Sequence, residues 1–139
     1  MRPATRVLDS YGILAHLKDE PGAEQMDEVY RSASESGRIL LLTTVNWGEV
    51  FYITLRTAGR QRAEQIARLI SGLPIEVVPA DVELARQAAE FKATKRMSYA
   101  DCFAAALAKL RKAELVTGDR EFRQVEREVK ILWLGGSRS

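Results

Sequence analysis

Asp9, Glu49, Asp101 and Asp119 are the side chains whose type and setting could do chemistry together in this 139-residue chain. Each stands at an edge of an apolar segment, in Val7-Leu8-Asp9-Ser10, Asn46-Trp47-Gly48-Glu49, Ser98-Tyr99-Ala100-Asp101 and Val116-Thr117-Gly118-Asp119. Taken singly, three of them have a plainer role. Asn46-x-x-Glu49 and Ser98-x-x-Asp101 have capping-box spacing, and Asp119 can cap a helix that follows it. Asp9 is different, because Ser10 would meet a capping need equally well. Capping and ligand binding are also compatible, since helix starts hold carboxylates through their N–H donors and dipoles. Brought together, four carboxylates repel, and at least one pKa must rise. A hard divalent cation removes that cost. An all-oxygen set without a Cys or His pair selects Mg2+ or Mn2+ over zinc.

Such a site needs a scaffold that carries all four acids to one place. Residues 6–9 read as a strand ending in Asp9, followed by a brief helix over 10–17. Pro21 suits the first turn of a helix reaching Ser36, with Ala23, Met26, Val29, Tyr30 and Ala33 on its buried face and Gly37 closing it. Residues 39–43 are apolar without alternation, as in a strand covered on both faces. Asn46 opens a helix to Ala58, and a second runs over 61–70 after Gly59. Residues 75–78 form a strand and 81–94 a helix. The helix of Asp101 spans about 98–112, its Ala104, Ala105, Ala106 and Ala108 allowing close packing. Strands follow at 114–117 and 130–134, with a short helix at 120–125 between them.

Strands alternating with helices imply a three-layer α/β/α domain around a mostly parallel sheet of four to five strands. Residues 1–134 form that one domain, and 135–139 a flexible tail. Ligands of such folds gather beyond the carboxyl ends of the strands. A helix leaving a strand begins at that edge, so Asp9, Glu49 and Asp119 share a rim. Asp101 joins them only if residues 97–100 bring the chain back to it.

Composition narrows the class. A hydrophobic fraction of 46%, a charged fraction of 29% and a formal charge of +2 describe an ordinary globular domain, not a polycationic nucleic-acid binder. The one cysteine, Cys102, excludes an internal disulfide and a Cys-based zinc site, and its helix makes it a small buried hydrophobe. No apolar run reaches the ~18 residues of a membrane span, and the start lacks a signal-like apolar region. These features lead to the expectation of a cytoplasmic protein without a membrane partner.

The four segments, in this order across almost the whole chain, resemble the motifs of the PIN-domain ribonucleases, and at this size a VapC-type toxin of a type II toxin–antitoxin pair. Val7-Leu8-Asp9-Ser10, Asn46-x-x-Glu49, Ser98-Tyr99-x-Asp101-x-x-x-Ala105 and Val116-Thr117-Gly118-Asp119-x-x-Phe122 carry the resemblance. It implies Mg2+- or Mn2+-dependent endonucleolytic cleavage of RNA, with Asp9, Glu49, Asp101 and Asp119 catalytic and metal-binding. Ser10, Asn46 and Thr117 become supporting polar positions. Glu49 is left as a second-metal ligand, a water-positioning group or a base. The resemblance further implies a homodimer and a VapB-like antitoxin partner, with Tyr11, Leu14 and Leu17 as candidates for the apolar contact face. Two alternatives stay open: a solitary RNA-processing nuclease and a non-catalytic binding module of the same fold.

For the RNA backbone, Arg120 and Arg123 are nearest to an acid in sequence, and Lys95 and Arg96 precede the Asp101 helix. Arg56, Arg60, Arg62 and Arg68 form a further basic stretch, although a solvated helix face explains any one of them. His16 has no nucleophile partner by spacing, and Trp47, Phe51 and Tyr52 read as core or interface. Other acid-bearing α/β folds fit poorly. A receiver domain needs paired acids after the first strand, an Asp ending the third and a Lys near the fifth. A DxD phosphatase needs an acid where Tyr11 stands. Nucleotide-binding folds need a Gly-rich or Walker loop that the chain lacks.

Overall fold

The computed structural model describes residues 5–135. Five short strands, β1 (Arg6–Leu8), β2 (Leu40–Thr43), β3 (Ile75–Val78), β4 (Glu114–Thr117) and β5 (Ile131–Trp133), form one sheet in the order β3-β2-β1-β4-β5. Every neighbouring pair is parallel, with Val7 opposite both Leu41 and Leu115. The sheet is therefore parallel throughout, with β1 at its centre.

Helices cover both faces, and the strands alternate between two cores. Val7, Leu41 and Leu115 pack on one side with α5 (Val82–Thr94) and α6 (Tyr99–Arg111). Leu8, Leu40, Leu42 and Val116 pack on the other with α1 (Ser10–Leu17), α2 (Ala23–Ser36), α3 (Thr44–Ala58) and α4 (Arg60–Ser71). Both faces being dry explains why these strands read as unbroken apolar runs. In α6, residues 101–108 are all buried, and its alanines let the helix approach the sheet closely. Cys102 lies free in that interior.

Several helix starts differ from the sequence reading. Asp9 caps α1, its Oδ1 accepting from Gly12 N at 3.3 Å, while Ser10 already lies in the helix. Pro21 does not open α2; Gly22 does, at a φ of 103° that favours glycine. The helix α3 starts at Thr44 rather than Asn46, because Thr43 Oγ1 accepts from Asn46 N and so takes the cap. Asn46-x-x-Glu49 is thus not a capping box, and Asn46 is released to point into the interior. Residues 120–125 wind as a 3-10 turn capped by Asp119. Of the tail expected at 135–139, residues 136–139 lie outside the described residues, as do residues 1–4. No described helix is long and apolar enough to cross a membrane.

Candidate metal centre

The carboxyl edge of β1 and β4 brings the first contacts together. Asp9 ends β1 and is 1% exposed. Its Oδ2 accepts from Thr117 Oγ1 at 2.7 Å, and the same Thr117 oxygen accepts from Asp119 N at 3.0 Å. One hydroxyl thus joins the acid of β1 to the loop after β4. Glu49, one turn into α3, accepts from Ser10 Oγ at 2.6 Å, which ties it to the start of α1.

Asp101 was the acid whose arrival needed an explanation, since no strand leads into α6. Its turn is fixed from several sides. Met97 is buried, Lys92 Nζ donates to Met97 O at 2.8 Å, and Ser98 Oγ accepts from Asp101 N at 3.1 Å to cap the helix. Across the sheet edge, Asn46 Nδ2 donates to Ala100 O at 3.1 Å, while its Oδ1 accepts from Thr43 Oγ1 at 2.6 Å. This fully buried amide couples the helix of Glu49 to the helix of Asp101.

Carboxylate oxygens of Asp101, Asp119 and Glu121 lie within 4.8 Å of one another. Glu121 is a residue that the sequence reading missed. Its signal was present as Asp119-x-Glu121 after a strand, and the packing of the turn after β4 against α6 brings both side chains beside Asp101. Asp9 and Glu49 stand outside this tight group, yet their charges act on it. Burial pushes the Asp9 carboxyl up to about 8, with Asp101 and Asp119 adding to the rise and the Thr117 and Gly12 hydrogen bonds opposing it. Burial likewise pushes Asp101 up to about 7, reinforced by Asp119 and Glu49 and partly offset by Ser98. Mutual repulsion among buried carboxylates is the condition that a divalent cation relieves. The donors are oxygens alone, which suits Mg2+ or Mn2+.

The basic side chains are arranged around this rim unevenly. Arg96, Arg120 and Arg123 are exposed. Lys95 is half-buried and lies 3.9 Å from Glu128, which also accepts from Lys109. Arg56 sits over the Tyr52 ring at 5.2 Å. His16 pairs with Asp27 at 2.7 Å, away from any nucleophile, and Trp47 stacks on Phe51. Leu14 and Leu17 line a cleft of about 80 Å3 with Thr54, Thr57, Ala58 and Ile66. Tyr11 instead packs on Gly118, between Thr117 and Asp119, so it borders the acids rather than that cleft.

Among curated proteins, none matches the chain in sequence. Solved structures do match in fold. VapBC2 from Rickettsia felis, crystallised on a DNA fragment from its promoter, has a TM-score of 0.77 at 10% identity, covering 94% of this chain and 98% of that one. The DNA-bound VapBC from Salmonella typhimurium gives 0.74 at 21% identity, with the same coverage of 94% and 98%. The sarcin–ricin-loop-cleaving toxin VapC20 of Mycobacterium tuberculosis gives 0.63 at 15% identity, covering 86% of this chain and 94% of that one. The PIN domain family matches residues 6–128, nearly the whole fold and all five acids. The chain belongs to the PIN domain family.

Proposed function

We propose that this protein is a Mg2+- or Mn2+-dependent endoribonuclease that acts as the toxin of a toxin–antitoxin pair. The observation that carries the reading is that carboxylates of Asp101, Asp119 and Glu121 lie within 4.8 Å of one another, with Asp9 and Glu49 near enough for charge coupling and burial raising both Asp9 and Asp101. Asp9, Asp101 and Asp119 would hold the cation, with Glu121 as a further ligand. When bound, the cation supplies charge neutralisation at the scissile phosphate and lowers the pKa of an attacking water. The chain's own groups orient that chemistry. Thr117 fixes the Asp9 carboxylate and the Asp119 backbone, Ser10 holds Glu49, and Asn46 holds the α6 start.

Glu49 either joins the cation or takes the proton of the water. Glu49→Gln separates the two: a ligand role raises the metal concentration needed, whereas a base role lowers kcat at unchanged metal affinity. Arg96, Arg120 and Arg123 would draw RNA phosphates toward the acids. Lys95 contributes less because Glu128 neutralises it. The cleft between α1, α3 and α4, lined by Leu14, Leu17 and Ile66 with Lys18 and Arg62, is the proposed contact for a VapB-like antitoxin, the partner that the fold shared with VapBC complexes supports. A homodimer is proposed from the family resemblance alone.

Incubation with structured RNAs and Mg2+ or Mn2+, beside Asp9→Asn and Asp101→Asn, tests the activity. Cutting is expected from the native chain alone and only with metal. Cleavage that survives both substitutions or a chelator would overturn the assignment. Tight capture of the product of a neighbouring small reading frame separates a toxin from a solitary RNA-processing enzyme.

A further inference from the structure

Resting on the metal-centre reading above, the geometry points to Gln124 as a positioning residue that sets the spacing between the two halves of the carboxylate cluster. The cluster is built from unconnected pieces. Asp101 arrives through the turn between α5 and α6, whereas Asp119 and Glu121 belong to the 3-10 turn after β4. Gln124 lies in that 3-10 turn and reaches across to the other piece. Its Oε1 accepts from Arg96 N at 2.8 Å, and its Nε2 donates to Arg96 O at 3.2 Å. The same Nε2 donates to Glu121 O at 3.2 Å. One amide therefore grips both polar groups of Arg96 and the backbone of Glu121.

From Arg96 to Asp101 the chain has little freedom left. Arg96 is held by Gln124, Met97 by Lys92 and its own burial, and Ser98 by its cap on Asp101 N. A displacement at Arg96 is thus passed to Asp101 rather than absorbed between them. On the other side, a 3-10 turn has poorer internal hydrogen bonds than an α-helix and depends more on outside anchors. Phe122 and Val125 anchor its buried face and Asp119 Oδ1 accepts from Glu121 N at 2.9 Å, while Gln124 supplies a side-chain tie from this turn to the one before α6. Gln124 itself is exposed and adds nothing to the core. Its loss therefore alters ligand spacing with little effect on global stability, which distinguishes it from a structural residue.

The test is Mn2+ titration by calorimetry into the full chain, its Gln124→Met variant and its Asp101→Asn variant, with thermal melting and backbone hydrogen exchange on each. Methionine keeps the length of glutamine and removes all three hydrogen bonds. Gln124→Met is expected to bind Mn2+ roughly fivefold more weakly, the scale of one net hydrogen bond, with an unchanged melting temperature and faster exchange at the Arg96 amide. Equal Mn2+ affinity in Gln124→Met and the native chain overturns the assignment, as does a loss matched by a fall in melting temperature. If the native chain takes up no Mn2+, or Asp101→Asn binds as well as the native chain, the metal-centre reading itself fails and the role of Gln124 falls with it.

Discussion

Replacing Asp9 with Asn removes a carboxyl group that the folded chain holds in its protonated form well above the usual range. Burial lifts this group to about 8 from an ordinary value near 3.8. The unfolded chain therefore releases a proton that the folded chain keeps, and unfolding free energy must fall as pH rises. The stability is fully present below about pH 3.8 and is lost progressively toward pH 8. Each such proton contributes a slope of about 1.4 kcal/mol per pH unit. Between pH 5 and 7 the metal-free protein should lose about 3 kcal/mol through Asp9, a large part of the ~5–15 kcal/mol that a domain has. Asp101, raised to about 7, steepens the fall at the lower end of that range.

In Asp9→Asn the Asp9 contribution vanishes, while Asp101 keeps the burial and the charges of Asp119 and Glu49 that raise it. The variant gives up part of the Thr117 bond, a loss of about 1 kcal/mol that does not depend on pH. The two stability curves should therefore cross, with the native chain ahead in acid and the variant ahead near pH 8. Urea unfolding in a chelator at pH 4, 5, 6, 7 and 8 at constant ionic strength measures both, with the crossing expected at about pH 4.5. Parallel curves, or native stability that rises with pH over this range, would refute the electrostatic argument. Saturating Mn2+ should flatten the native curve and stabilise the variant, which keeps Asp101, Asp119 and Glu121, by less.

Other sites lend themselves to shorter tests. Gly118 does not adopt a positive φ, so its glycine serves space rather than conformation: an added methyl would stand 2.8 Å from Tyr11 Cζ. Because the atoms met are the far end of a Tyr11 ring that is 38% exposed and can swing aside, Gly118→Ala should cost less than about 1 kcal/mol by chemical denaturation. Asn46→Ala opens a buried site and removes two hydrogen bonds, so a loss of about 2–3 kcal/mol is expected, with weaker cleavage at fixed Mn2+. Asn46→Asp should lose more activity above neutral pH, where its charge faces Ala100 O and adds to the acids. Arg120→Ala and Arg123→Ala should lower RNA affinity at low salt and reduce the dependence of binding on salt, measured by fluorescence anisotropy, without changing Mn2+ uptake.

The sheet and its helices were legible because two dry faces force continuous apolar strands and the glycines punctuate the helix ends. Gly37 and Gly59 both sit at positive φ where helices stop. The acids of the rim were legible from their places at strand ends. Asp101 was not, because its position depends on the Met97 turn, which is fixed by Lys92, Asn46 and Gln124 from distant parts of the chain. Long-range bonds of that kind leave no periodic trace. Capping was misjudged for the same reason in reverse. Thr43 and Asn46 both fit a cap, and only the buried bond to Ala100 shows that Asn46 is needed elsewhere. Glu121 escaped because its closeness to Asp101 depends on how the turn after β4 meets α6, which no local pattern records.

The proposed function stands on one divalent-cation site formed by Asp9 at the junction of β1 and α1, Asp101 in α6, and Asp119 and Glu121 after β4. Crystals of the chain soaked in Mn2+ and measured at a wavelength where manganese scatters anomalously test it most directly. An anomalous peak ligated by oxygens of Asp101 and Asp119 is expected, with Asp9 at or next to the ion, and no peak there in Asp101→Asn. Manganese bound elsewhere, or an empty rim in the native crystals at saturating Mn2+, would contradict it.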